Sequence, residues 1–293
     1  MDTFDTQYYE LLLHLVNVAE EKPSSRPGMK TKSTFGHSMS VDLSDSLPLT
    51  TLRKTPLRWI FEETMMFVRG ESQTKVLEET GITIWKGNSS REFLDNKGHT
   101  DWPEGEIGPG SYGALWRAFP GKDGKTVDQL KQLVDGLKNN PYDRRHLISA
   151  WHPQYSVDFA ALPACHILQQ YDVTPSGKLN SNFYMRSNDV LFGLPFNMAQ
   201  YAFMNICIAK LVGLEPGKLT YMCGDSHIYE NQYAASEYLL LQTEQMDIPP
   251  PPKLEITKEL NTLDDFVDLK YTDLQLTGYN PNPDIPNKPK MAV

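Results

Sequence analysis

Cysteine is scarce in this chain, with three residues, Cys165, Cys207 and Cys223, among 293. None belongs to a CxxC pair, which excludes the common zinc and dithiol redox sites, and an odd, sparse set fits a reducing compartment better than a disulfide framework. Basic residues are also in deficit. Lys and Arg number 28 against 37 Asp and Glu, a formal charge of -9, so the chain is not built to lie along a nucleic-acid backbone. An anionic ligand would need a local basic pocket. No apolar run is long enough to cross a bilayer, and the N-terminal MDTFDTQYYE carries acidic residues where a signal peptide carries basic ones. These absences predict a cytoplasmic protein with no DNA partner, no membrane partner and no metal ion.

The composition is that of a globular protein, 40% hydrophobic and 22% charged, which excludes disorder and collagen-like repeats. Tyr8, Leu12, Leu15 and Val16 recur at helical spacing, so DTQYYELLLHLVNVAEE reads as an amphipathic helix. PSSRPGMKTKSTFG, with two prolines and two glycines, reads as a loop bearing Arg26, Lys30 and Lys32. TPLRWIFEETMMFVRG reads as a buried helix with Thr55 as N-cap, Pro56 in the first turn, Gly70 past the end, and Glu62 and Glu63 on board. Val127, Leu130, Val134 and Leu137 form one stripe of a further helix. HLISAWH, CHILQQYDV and KLNSNFYMR read as strands, the last two joined as a hairpin by TPSG. FNMAQYAFMNICIAKLVGL is a long apolar helix, LTYMCGDSHIY a strand leading into a polar loop, and DIPPPPKLEI a stiff surface spacer. No repeat or linker divides the chain, so the expectation is one α+β domain over residues 1–293.

In ALPACH, Cys165 stands between a short apolar run and His166. A lone cysteine is more often a buried thiol than a nucleophile. Candidate cations shift the balance here, because a thiolate needs positive charge or a histidine nearby. DRRH supplies Arg144 and Arg145, and MRSND supplies Arg186 at the end of the strand that returns toward Cys165. Arginines grouped at strand ends also suit a phosphate dianion. MRSNDVLFGLPFN gathers Arg186, Ser187, Asn188, Asp189 and Asn197 around a turn with Gly193 and Pro195. A plain strand-to-helix loop capped by Asn197 would explain Asn197 but not the polar run before it. His227 and Tyr229 lie two apart, so on an extended chain they share a side and suit a sugar hydroxyl.

GEIGPGSYGALWR, DRRH, LPACH, RSND with GLPFN, GDSHIY and the terminal KMAV follow one another in this order, and the pattern resembles the thymidylate synthase and pyrimidine nucleotide hydroxymethylase superfamily from about Arg26 to Val293. The resemblance implies a mixed sheet covered by helices, with sheet faces forming a homodimer. It also implies an enzyme that transfers a one-carbon unit from 5,10-methylenetetrahydrofolate, as co-substrate, to C5 of a pyrimidine nucleotide. Carried over, Cys165 attacks C6 of the ring. Arg26, Arg186 and Ser187 hold the phosphate, and Arg144 and Arg145 cross the dimer to complete the partner's phosphate site. His227 and Tyr229 bind the 3'-hydroxyl, and Glu63, Tyr112 and His166 order water and protons near the base. Trp85, Asn88, Leu162, Asp189, Gly193 and Val293 belong to the folate side, together with either Arg53 or Lys54. Asn197 suits uracil, since an amide can donate to O4 and accept from N3–H, where a cytosine hydroxymethylase carries Asp. The nucleotide expected is therefore dUMP.

Product type turns on whether water or hydride reaches the methylene carbon on C5. Trp85, Leu162 and KMAV are synthase-like. Ala164 in place of the usual proline before the nucleophile, Lys30 in PGMKT, the lengthened GPGSYG and Asn282 in YNPNP depart from synthases, and MRSNDVLFG is closer to a phage deoxycytidylate hydroxymethylase. The expectation is a dUMP hydroxymethylase, with thymidylate synthase as the alternative. A non-catalytic nucleotide or RNA binder on the same scaffold would have no use for Cys165.

Overall fold

The computed structural model describes residues 3–24 and 28–289. Helix α1 (Phe4–Asn17) starts where the Thr3 hydroxyl accepts from the Thr6 N–H, and it buries Tyr8, Leu12, Leu15 and Val16, the stripe expected from the spacing. The next segment departs from expectation. Strand β1 (Glu20–Pro23) pairs antiparallel with β2 (Lys30–Asp42), so Lys30 and Lys32 lie on a strand and not in a loop. Polar, proline-flanked sequence hides this hairpin, whose ladder is specified by backbone pairing and not by an apolar pattern. Arg26 lies outside the described residues.

Helix α2 (Leu57–Arg69) buries Leu57, Ile60, Phe61, Met65, Met66, Phe67 and Val68. Its N-cap is Pro56, and Thr55 makes no capping bond. Thr55 is buried, and its N–H donates to the Tyr279 hydroxyl at 2.8 Å instead. Gly70 ends the helix at φ 78°, and its N–H is shared between the Met66 and Phe67 carbonyls. After a stretch of three short helices, α3 (Tyr112–Ala118) and α4 (Gln129–Asn139) follow. Asp128 caps α4 by accepting from the Lys131 N–H at 2.9 Å, and Leu130, Leu133, Val134 and Leu137 are buried. Val127 sits just outside, on a two-residue strand.

Strand β3 (Leu147–Ser149) precedes the hairpin of β4 (His166–Val173) and β5 (Lys178–Asp189), which the sequence predicted. Helix α5 (Gly193–Val212) is buried nearly all round, and β6 (Glu215–Tyr229) runs through LTYMCGDSHIY, the strand expected there. Helix α6 (Tyr233–Gln245) follows, and beyond it Lys253–Ile256, at the end of the expected spacer, pairs antiparallel with Leu274–Thr277 as a separate two-stranded sheet. Sheet order is β1-β2-β6-β5-β4-β3, with β5 and β6 parallel and the other neighbours antiparallel. A mixed α+β sheet with helices was the expected class. Phe183, Met185, Leu219 and Tyr221 turn their side chains into the core under α5. The sheet's other face leaves Phe35, Leu147, Leu168 and Met222 exposed, Phe35 by 83%.

Asn197 does not cap α5. The N-cap is Phe192, whose N–H donates to Asp189 Oδ1 at 3.1 Å, and Asn197 stands a turn inside. Gly70 gives the fold its first test, since a Cβ there would meet the Arg117 Cβ at 2.9 Å in a left-handed conformation. Gly70→Ala is expected to cost about 1–2 kcal/mol in urea unfolding, with little change in the slope.

Candidate active site

Cys165 closes the loop before β4, and β5 returns antiparallel to it, so that the Arg186 N–H donates to the Cys165 carbonyl at 2.8 Å. The Arg186 guanidinium then grips the loop. Its Nε donates to the Ala164 carbonyl at 2.7 Å, its Nη2 donates to the Pro163 carbonyl at 2.9 Å, and the same Nη2 lies 3.7 Å from Cys165 Sγ. Positive charge beside the sulfur is what a thiolate nucleophile requires. From the other side, the Tyr112 hydroxyl accepts the Cys165 N–H at 2.7 Å. GPGSYG delivers that tyrosine. Gly110 approaches the Tyr155 carbonyl so closely that a Cβ would lie 2.0 Å from its oxygen, and only glycine fits.

Tyr112 stacks on His166 with ring centres 3.9 Å apart, and His166 Nδ1 lies 2.5 Å from the Tyr201 hydroxyl. Burial pushes the His166 pKa down to about 3, so its imidazole stays neutral and acts through hydrogen bonds, not charge. Glu63, on α2, accepts from the Trp85 indole N–H at 2.8 Å and from Gln200 at 3.5 Å. It opens onto the cavity but is otherwise enclosed. Desolvation raises its pKa to about 7, against the opposing pull of the Trp85 bond. Asp189 is likewise raised by burial, while Gln232 Nε2 (2.7 Å) and the Phe192 N–H hold it down.

A cavity of about 570 Å³ joins these groups. Glu63, Trp85, Asn88, Tyr112, Leu162, Cys165, His166, Ser187, Asp189, Gly193 and Asn197 all line it, eleven of the residues named from the sequence. His227 and Tyr229 stand just behind, with His227 opposite Asp189 in the β5–β6 register. Arg144 and Arg145 are exposed and away from the cavity of their own chain, and Arg145 is engaged by Asp143 at 2.9 Å. Arg26 and Val293 lie outside the described residues. Sequence reasoning missed Trp59, Phe192 and Phe196, which add aromatic wall. The i to i+4 spacing of Trp59 and Glu63 on one helix face was the available signal.

The departures from synthases have separate explanations. Lys30 Nζ pairs with Glu21 at 2.6 Å on the β1–β2 hairpin. Asn282 is buried, its N–H donating to the Thr51 carbonyl at 2.8 Å and its amide to the Asp247 carbonyl at 3.2 Å, which ties the tail to the body. Neither lines the cavity among the described residues. Ala164 packs in the core and is also off the cavity wall, so its small side chain adds no room to the cavity. What alanine adds is an N–H that proline lacks. Among the described residues nothing accepts from it, although Ala164 is only 1% exposed.

The family profile described as Thymidylate synthase matches residues 6–293. Thymidylate synthase from Homo sapiens is 38% identical over 297 aligned residues, covering 99% of this chain and 91% of that protein. This chain belongs to the thymidylate synthase family. It is a one-carbon transferase acting at C5 of dUMP with methylenetetrahydrofolate as co-substrate. The cavity fits a flat, polar-edged ring such as a folate's, because Trp59, Trp85 and Phe192 line it and the Asn88 side-chain amide is a buried donor without a partner among the described residues. Arg53 and Lys54 line it too, suiting carboxylates, although Arg53 also donates Nη2 to the Leu191 carbonyl at 2.7 Å.

The raised Glu63 carboxyl generates a prediction. The pH profile of kcat should inflect near 7, and Glu63→Gln should lose that inflection along with about a hundredfold in rate. A carboxyl raised in the folded state favours folding at low pH and loses that contribution as pH rises through about 7. Glu63→Gln should therefore melt higher than the parent above neutrality, with the gap shrinking as pH falls.

Proposed function

We propose that this member of the family is a dUMP hydroxymethylase, working as one catalytic domain over residues 1–293 in a cytoplasmic homodimer. Cys165 adds to C6, and the ring electrons move to C5 and O4. Bound beside the nucleotide, the folate transfers its one-carbon unit to C5, the C5 proton leaves to water, and the carbon–nitrogen bond to the folate breaks, so that tetrahydrofolate departs and a methylene remains on C5. Water then adds to the methylene carbon on C5, the S–C6 bond breaks, and 5-hydroxymethyl-dUMP is released. Glu63, Tyr112 and neutral His166 hold the water and protons near the base, and Asn197 reads the uracil edge. Arg186, through its remaining Nη1 edge, grips the phosphate with Arg26 and Ser187, and His227 and Tyr229 take the 3'-hydroxyl. Trp85, Asn88, Leu162, Asp189, Gly193 and the terminal Val293 hold the folate. Asp284, Lys288 and Pro289, which line the cavity, support this reading of the tail.

Arg144 and Arg145 reach the partner's phosphate site, which accounts for two exposed arginines far from their own cavity. The exposed apolar residues of the open sheet face support the dimer.

The observation that carries the hydroxymethyl reading is Ala164. An N–H of buried Ala164 with no acceptor among the described residues, directly before the nucleophile, is a seat for a water molecule, and proline in that position would abolish it. A second reading, dTMP formation by hydride transfer, is favoured by the apolar wall that Trp85 and Leu162 add beside Cys165. Incubation with dUMP and methylenetetrahydrofolate decides between them. The product expected is heavier than dUMP by CH2O with no dihydrofolate formed, whereas dTMP with stoichiometric dihydrofolate would overturn the hydroxymethyl reading. Cys165→Ser should bind dUMP yet lose turnover under either reading, and unchanged turnover would defeat both.

A further inference from the structure

Beside the cavity, His227 heads a chain of three charged or titratable side chains whose other two members the chemistry above does not use. His227 Nδ1 lies 3.0 Å from Asp225 Oδ1, and the other oxygen, Oδ2, accepts from Lys22 Nζ. Asp225 and His227 are two apart on β6, while Lys22 comes from the edge strand β1. His227 is buried, at 8% side-chain exposure, and the exposure rises outward through Asp225 at 27% to Lys22 at 50%.

We propose that Asp225, braced by Lys22, is a positioning residue that fixes the tautomer of His227 and so makes the sugar end of the site selective for a free 3'-hydroxyl. This rests on the reading of His227 as a ribose ligand. A carboxylate can only accept, so the proton of a neutral His227 sits on Nδ1 and the lone pair on Nε2. Nε2 then accepts from a hydroxyl, and a sugar carrying hydrogen or phosphate at that carbon has no such donor. Without Asp225 both tautomers would be populated, and Nε2 would present a proton part of the time.

Lys22 has a second effect. Asp225 stands opposite Ser187 in the β5–β6 register, so its charge would face the residue assigned to the phosphate. Pairing with Lys22 offsets that charge. Burial disfavours the ionised carboxyl, but the bonds from His227 and Lys22 outweigh it and keep the Asp225 pKa below the usual carboxylate range. Because the Lys22–Asp225 pair is half in solvent, removing it should cost little stability.

The test compares dUMP with 2',3'-dideoxyuridine 5'-monophosphate, both tritiated at C5, in the full-length protein with methylenetetrahydrofolate. Tritium release counts turnover whichever product forms. The parent should prefer dUMP in kcat/KM by about tenfold or more, the worth of one hydrogen bond to a charged or oriented partner. His227→Ala should abolish the preference, and Asp225→Ala should reduce it most of the way. Asp225→Asn, which keeps an acceptor oxygen, should restore much of it, and Lys22→Ala should chiefly raise KM. A purely structural Asp225 would slow both nucleotides equally. An unchanged preference in Asp225→Ala, alongside a lost one in His227→Ala, would overturn the relay. An unchanged preference in His227→Ala would show that the ribose assignment itself is wrong, and the relay would fall with it.

Discussion

One guanidinium holds the nucleophile in place. Arg186 spends Nε and Nη2 on the carbonyls of Ala164 and Pro163, the two residues before Cys165, and sets the same Nη2 beside the sulfur. Hydrogen bonds from a charged donor contribute about 1.5–3 kcal/mol each. Two of them offset the ordering entropy of about three residues, in a loop where side-chain packing has little to grip. Loop order and thiolate charge thus come from a single side chain, and a lysine, with one compact ammonium, could not supply both carbonyl bonds in that fork geometry.

Around this clamp, burial sorts the titratable groups into different roles. His166 is fully enclosed and kept neutral, so it lends hydrogen-bonding order through Tyr201 and ring stacking through Tyr112. Glu63 is enclosed on all sides except the cavity, and its pKa near 7 lets it exchange protons at neutral pH. Asp225 has partners enough to stay ionised. The contrast follows from desolvation set against the bonds each group receives.

Much of this was legible in the sequence, and what was not has physical causes. The stripes of α1 and α4 and the TPSG hairpin were visible because one face of each is apolar. The β1–β2 hairpin was hidden, since polar side chains at a sheet edge leave no alternating pattern. Thr55 and Asn197 look like caps by residue type, yet Pro56 and Phe192 occupy those positions because tertiary bonds fix the chain direction there. Within the site, consecutive motifs around Cys165, Arg186 and Asp189 were readable. Trp59 was legible only through its i to i+4 spacing from Glu63, and Gln232 was not, because only the pairing of β5 with β6 brings it to Asp189. The tail behaved similarly, since Asn282 looks like a lost functional residue in sequence but is an anchor in the fold.

Arg186, Tyr112 and the cavity wall converge on one claim, that the Cys165 sulfur bonds to C6 of a uracil ring. The most direct measurement is intact-protein and peptide mass spectrometry after incubation with 5-fluoro-dUMP and methylenetetrahydrofolate, since fluorine on C5 blocks the proton loss that would release the enzyme. The expected result is a covalent adduct of nucleotide and folate mapped to the peptide containing Cys165. An unmodified Cys165 peptide, or an adduct on Cys207 or Cys223, would contradict it.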